Sequence, residues 1–235
     1  MSGHSKWSTI KRKKGAADAK RGKLFSKLAK QITVAARQGQ GLEMAVDAAK
    51  AANMPKDNIE RAIQRGTGAD ADAAQIEEVI YEAYGPGGAA ILITALTDNR
   101  NRTIGNIRAV VGKYGLRLAD SGSVQYLFEQ RGILEVDAPE KDNAQLMFID
   151  AGATGFDDEG DTLITYTAPQ ALMAVKRQAE TAGLTVRAAS VALVAKTTIE
   201  TGHDDQQKLV RALEALDDLD DIQSVETNAE LSDRE

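Results

Sequence analysis

The positive charge of this chain is gathered at one end, and that limits where the end can sit in any fold. Residues 1–37 hold eleven Lys or Arg (Lys6, Lys11, Arg12, Lys13, Lys14, Lys20, Arg21, Lys23, Lys27, Lys30 and Arg37) against a single acid, Asp18. Residues 67–235 hold fourteen bases against thirty acids, so the net charge of −6 hides two segments of opposite sign. Unpaired charges are excluded from a core. The first 37 residues therefore form a peripheral element with one apolar face at most. A basic head on an acidic body points to a polyanionic partner.

The spacing predicts a helix over residues 16–38. At about 100° per residue from Lys23, Leu24, Phe25, Leu28, Ile32, Ala35 and Ala36 fall between roughly 100° and 220°. Lys23, Lys27, Lys30 and Arg37 lie within about 40° of zero, on the opposite face. Gly39 and Gly41 end the helix. Two shorter helices are expected over 42–52 and 56–65. The second carries Asp57 and Glu60 early and Arg61 and Arg65 late, and buries Ile59, Ala62 and Ile63. The Gly, Ala and Asp of 66–72 read as a linker. Residues 1–72 are thus a basic helical nucleic-acid-binding domain.

The following stretch predicts strands at 78–84 and 89–96 around the turn Gly85-Pro86-Gly87-Gly88. A helix capped by Asp98 or Asn99 comes next, with Ile104, Ile107, Val111 and Tyr114 inward, and then a strand at 124–128. Residues 131–196 show a strand–helix–strand–strand–helix–strand order, the ferredoxin-like pattern. Its hairpin turn is the acidic Asp157–Asp161, and Thr167-Ala168-Pro169-Gln170 reads as a capping box. A last helix over 204–216, with Leu209, Leu213 and Leu216 on one stripe, precedes a strand at 222–225. The acidic run Asp217-Asp218-Leu219-Asp220-Asp221 between them reads as a solvated junction. That tail is too short to fold alone, and 76–130 lacks a second helix. Joined, 76–130 and 197–235 make one discontinuous α/β domain with 131–196 inserted. The fold class expected is α+β with three domains: a small helical N-terminal bundle and two α/β sandwich domains, one of them ferredoxin-like and inserted in the other.

No constellation for catalysis is visible. With two histidines and no cysteine, neither a zinc site nor a Cys–His dyad is supported, and no cofactor is implied. Gly85-Pro86-Gly87-Gly88 lacks the Lys-Ser/Thr of a phosphate-binding loop, and Asp157–Asp161 lacks the spacing and distal Glu of a calcium loop. No run approaches the roughly 20 apolar residues of a membrane span, so a cytoplasmic protein with no membrane partner is expected. For nucleic acid the candidates are Lys6, Lys11, Arg12, Lys13, Lys14, Lys20, Arg21, Lys23, Lys27 and Lys30, which would neutralise phosphates. Trp7, the one tryptophan, either stacks on a base or packs on the helical bundle. Arg100 and Arg102, at a helix start, either meet a phosphate or pair with nearby carboxylates while Asn99 caps the helix. Contacts of this kind position a partner without reading its sequence.

Several of these segments are recognisable together. Ser2-Gly3-His4-Ser5-Lys6-Trp7, Ile10-Lys11-Arg12-Lys13-Lys14, Asn53 through Ile63, Tyr84-Gly85-Pro86-Gly87-Gly88 and Leu96 through Thr103 resemble the YebC family, in order and over essentially the whole chain. The resemblance implies three domains, a helical head and two α/β domains. It also implies a DNA-binding transcriptional regulator. Related members are described as translational activators that associate with the ribosome and relieve stalling at proline-rich stretches, which makes ribosomal RNA the alternative partner. One loop departs from the family, with Leu116-Arg117-Leu118-Ala119 where Gly-Asn-Leu-Gly is usual before Gly122-Ser123-Val124. A Trp7→Ala variant separates the two roles of that ring. Stacking predicts a loss of about 1–3 kcal/mol in nucleic-acid binding, whereas packing predicts a lower melting temperature with unchanged binding.

Overall fold

Helices α1 (Asp18–Gln38), α2 (Leu42–Ala51) and α3 (Lys56–Gly66) open the computed structural model, which describes residues 18–68 and 75–231. Their common core is Leu28, Ile32 and Ala35 from α1, Ala45 and Ala49 from α2, and Met54, Ile59 and Ala62 beyond. Asn53 turns the chain between α2 and α3 at a φ of 57°, a conformation its short polar side chain tolerates better than most. Gly66, the last residue of α3, is buried rather than part of a linker. A Cβ there would lie 2.4 Å from the Thr33 carbonyl oxygen and 2.6 Å from Ala36 Cβ, so α1 and α3 touch backbone to backbone. Thr33 Oγ1 sits in the same crossing, 3.1 Å from the Ala62 carbonyl.

Two four-stranded sheets follow, and the described residues contain seven α-helices in all. The first sheet has the order β3-β1-β2-β8, formed by β1 (Glu77–Tyr84), β2 (Ala90–Thr97), β3 (Arg117–Ala119) and β8 (Ile222–Thr227). The apolar run of β2 is explained by burial on both faces. Ile91, Ile93 and Ala95 face helices α4 (Arg100–Tyr114) and α7 (His203–Asp217), against Ile107, Val111, Leu209 and Leu213. Ala90 and Leu92 face the other way, onto Val124 and Phe128.

The second sheet has the order β5-β6-β4-β7, antiparallel throughout. Its strands are β4 (Phe128–Asp137), β5 (Ala153–Glu159), β6 (Thr162–Thr167) and β7 (Thr185–Ala195). Helices α5 (Lys141–Asp150) and α6 (Leu172–Thr181) connect them in the split βαβ manner. Leu134, Val136 and Leu163 meet Phe148, Leu172, Val175 and Ala179 in its core.

Four local expectations are corrected. Residues 124–128 are not a strand: Gln125–Leu127 is a 3-10 turn, and Phe128 begins β4. The cause is Glu82, buried on β1, whose carboxylate accepts the backbone N–H of Gly122 (2.5 Å), Val124 (2.6 Å) and Gln125 (3.0 Å). Those donors cannot also serve a ladder. Residues Asp157–Glu159 extend β5 instead of turning, because Asp157 accepts from the Tyr166 hydroxyl at 2.9 Å across the strands. Thr167 is no helix cap. It ends β6, fully buried, with its hydroxyl on the Ala168 carbonyl, and α6 starts after an intervening 3-10 turn without a side-chain cap. On α4 it is Thr103, not Ile104, that joins the buried face.

Gly66→Ala forces the α1–α3 crossing apart. It should cost about 1–3 kcal/mol, the usual range for overpacking, read as a lower melting temperature, while Gly22→Ala on the open side of α1 should not destabilise.

Candidate nucleic-acid interface

Of the basic residues singled out above, Lys6, Trp7, Lys11, Arg12, Lys13 and Lys14 lie outside the described residues, as does the side chain of Lys20. Arg21 is exposed on α1. Behind it, the exposed Lys23 and the half-buried Lys27 and Lys30 reach toward the body. Lys23 Nζ donates to the Asp218 carbonyl at 3.0 Å. Lys27 Nζ donates to the Asp217 carbonyl at 2.6 Å and lies 3.2 Å from Asp217 Oδ1. Lys30 Nζ donates to the Asp220 carbonyl at 3.0 Å and to Asp221 Oδ1 at 2.7 Å. The basic stripe of α1 thus lies along the α7–β8 junction.

The helix phase explains the alignment. Positions 23, 27 and 30 recur at i, i+4 and i+7, so one face presents three cations over about 10 Å of axis. Their acceptors are equally ordered. Asp217 is the last residue of α7 and Asp218 its C-cap, where carbonyls that lack a partner within the helix meet the negative end of the helix dipole. The acidic run is therefore no solvated junction, and no residue pattern in it announces a partner about 190 positions away in the chain.

Asp221 is the deepest member of the group, 6% exposed. Arg102 grips it in a fork, Nε to Oδ2 at 3.0 Å and Nη2 to Oδ1 at 2.8 Å. Thr103 Oγ1 donates to Oδ2 at 2.9 Å and sits 2.8 Å from Thr97 Oγ1. The Asp221 carbonyl accepts from the Leu96 N–H at 2.8 Å, fixing the junction to the end of β2. Burial alone would push the carboxyl up; the donors from Lys30, Arg102 and Thr103 outweigh it and hold it below the usual aspartate range.

The two arginines at the start of α4 therefore have carboxylate partners. Arg100 makes a two-point contact with Glu77, at 2.5 and 2.6 Å, and Arg102 also reaches Asp98 at 2.7 Å. Asn99 caps the helix, its side chain accepting the Arg102 N–H at 3.1 Å. Elsewhere the head is tied by Arg37 to the Ile76 carbonyl (2.9 Å) and by Asp47 to Lys176 of α6 (2.8 Å). Among the described residues no group of three or more His, Asp or Glu is placed to hold a metal ion, and no helix is long and apolar enough to cross a membrane. What the site shows is a set of ordered cations paired with oxygen acceptors of the same chain.

A depressed carboxyl stabilises the fold above its unfolded pKa and loses that stabilisation as pH falls through the folded value. Asp221→Asn should therefore destabilise the protein at pH 7 by about 1.5–3 kcal/mol, the range for hydrogen bonds to charged groups. The gap to the parent protein should close below about pH 4, where an unfolded aspartate is protonated, in melting curves taken across pH.

The comparisons with known proteins agree with this architecture. The profile of the TACO1/YebC protein N-terminal domain matches residues 5–69, and that of the TACO1/YebC second and third domain matches residues 76–229. A probable transcriptional regulatory protein of Desulforapulum autotrophicum is 48% identical over 242 residues, 99% of this chain and 98% of its own. Another so named, from Thermotoga maritima, is 47% identical over 245 residues, 100% of this chain and 96% of its own. The crystal structure of a conserved hypothetical protein from Aquifex aeolicus superposes with a TM-score of 0.85 at 41% identity, covering 92% of this chain and 93% of that one. The chain belongs to the TACO1/YebC family.

Proposed function

We propose that this protein is a non-enzymatic, cytoplasmic regulator of gene expression that binds DNA through its basic head, in the manner of a transcriptional regulator. The observation that carries the reading is the stripe of Lys23, Lys27 and Lys30 on the face of α1 opposite the buried Leu28, Ile32 and Ala35. A helix built this way is held by one face and offers cations on the other. Those lysines donate to oxygens of an acidic segment, which is the chemistry of a phosphate backbone. The candidate binding set is Lys6, Trp7, Lys11, Arg12, Lys13, Lys14, Lys20, Arg21, Lys23, Lys27 and Lys30, with Arg100 and Arg102 at the edge of the same region. The names of the relatives support a regulatory role. In this reading residues 1–72 are the binding head, 76–130 with 197–235 the body, and 131–196 the insert.

A second reading is favoured by one specific observation. The body beside the head is acidic, with sixteen more acids than bases over 67–235, and would be repelled by a long duplex lying against it. A compact folded RNA, as in the ribosome, could meet the head alone. Sedimentation of lysate at low and high salt, followed against ribosomes and nuclease-released DNA, separates the partners. Co-migration with ribosomes that salt reverses would replace DNA by ribosomal RNA.

Changing Lys11, Arg12, Lys13 and Lys14 together to Ala should weaken duplex binding uniformly across sequences. If all four meet phosphates, the slope of log affinity against log salt should fall by roughly 3 to 4 units, at about 0.9 per contact. An unchanged slope, measured by fluorescence anisotropy, removes these residues from the interface.

A further inference from the structure

We propose that the acidic junction Asp217–Asp221 is an intramolecular competitor for the basic face of α1, so that nucleic acid engages Lys23, Lys27 and Lys30 only when the head leaves the body. The inference rests on the nucleic-acid reading above and adds to it a closed state.

Three features of the contact carry it. The first is mimicry of the ligand. Four carboxylates in five residues, with the carbonyls of a helix C-terminus among them, form an anionic ribbon, which Lys23 meets at Asp218, Lys27 at Asp217, and Lys30 at Asp220 and Asp221. The 10 Å or so covered by the stripe corresponds to about three phosphates of one strand at 3.4 Å of axial rise each. A phosphate backbone and the junction would thus ask for the same ammonium groups.

The second feature is that the contact can come apart. Lys27 and Asp217 are partly exposed, and Lys30 keeps about a quarter of its side chain in water. An ion pair such as Lys27–Asp217 is individually weak and screened by salt, while Lys30 shares the buried Asp221 with the body's own Arg102. The apolar core of the head is built from α1, α2 and Met54 to Ile63 and closes without the body, so undocking leaves it intact. Apart from Met44 against the second-sheet core, the ties described between head and body are polar: Asp47–Lys176 and Arg37 to Ile76.

The third feature is that the body keeps its own cation. Arg102 and Thr103 hold Asp221 whether or not Lys30 is present, so the junction stays folded when the head departs. Of the other three acids, Asp217 meets Lys27 through its carboxylate, and Asp218 and Asp220 meet Lys23 and Lys30 through their carbonyls.

The test compares duplex and structured-RNA binding, at low and high salt, for the full chain and three variants. D217N/D218N/D220N weakens the competition by removing three charges of the ribbon, the Asp217 partner of Lys27 among them, while the carbonyl acceptors remain. If one molecule in ten is open in the parent protein, the apparent affinity should rise by up to about tenfold, since apparent affinity scales with the competent fraction, and the gain should shrink as salt opens the parent. D157N/D158N/E159Q removes three acids from β5 and controls for general repulsion; it should give little of that gain. K23A/K27A/K30A should lose affinity. Because the chain has no cysteine, Glu60→Cys on the head and Asp120→Cys on the body can carry a fluorescent pair, and added duplex or RNA should lower the energy transfer. Binding by the parent that the junction variant does not improve, or improves no more than the control, overturns the competition and leaves the nucleic-acid reading standing. Binding with unaltered energy transfer overturns it likewise. If the parent and all variants bind neither partner, the nucleic-acid reading itself fails and the competition with it.

Discussion

A single buried carboxylate joins three parts of this molecule. Asp221 takes donors from α1 through Lys30, from α4 through Arg102 and Thr103, and anchors the start of β8 to the end of β2 through its own carbonyl. Each element it touches could have packed at several angles on apolar contacts alone, because hydrophobic burial is not directional. Charge-assisted hydrogen bonds are directional, and a forked arginine contact more than most. The geometry of the junction, and with it the line of acceptors beneath the lysine stripe, follows from how that one side chain is satisfied.

The relation between head and body is therefore different in kind from the relations within each. Inside the sheets, β2 is closed off on both faces by aliphatic side chains, and its neighbours cannot shift without opening a void. Between head and body the surfaces meet mainly through charged groups at the edge of solvent. Interactions of the first sort set the folding stability, and those of the second sort respond to ionic strength. A protein divided in this way can change its outline while its cores stay as they are.

Periodicity told a good deal of this in advance. The opposite faces of α1, the apolar run of β2 and the inner stripe of α7 are all local patterns, and local patterns survive in a linear reading. What escaped was decided by single side chains acting at long range. Val124 has strand-like neighbours, yet Glu82, some forty positions earlier, takes the N–H groups that a strand would use. Thr167 stands at cap spacing but is drawn into the second sheet. For the candidate site, the lysines were legible as a face and the arginines as one of two alternatives. The acidic run opposite them reads as a solvated junction because nothing in five consecutive residues marks which of them will be buried.

The Glu82 contact has a meaning beyond local geometry. Successive N–H groups turned toward one point form the kind of concavity that holds phosphate in many proteins. Here the concavity of Gly122 to Gln125 is filled from within, by a carboxylate that several backbone donors keep ionised against the effect of its burial. It works as a built-in counter-ion that pins an irregular loop to a strand. A visiting anion would find the seat taken, and the nearby Arg117 stacked 4.7 Å over the Tyr84 ring instead of reaching outward. The residues that depart from the family's usual wording, Leu116 to Ala119, lie just before this clasp, which is built by Gly122 to Gln125 and the carboxylate on β1.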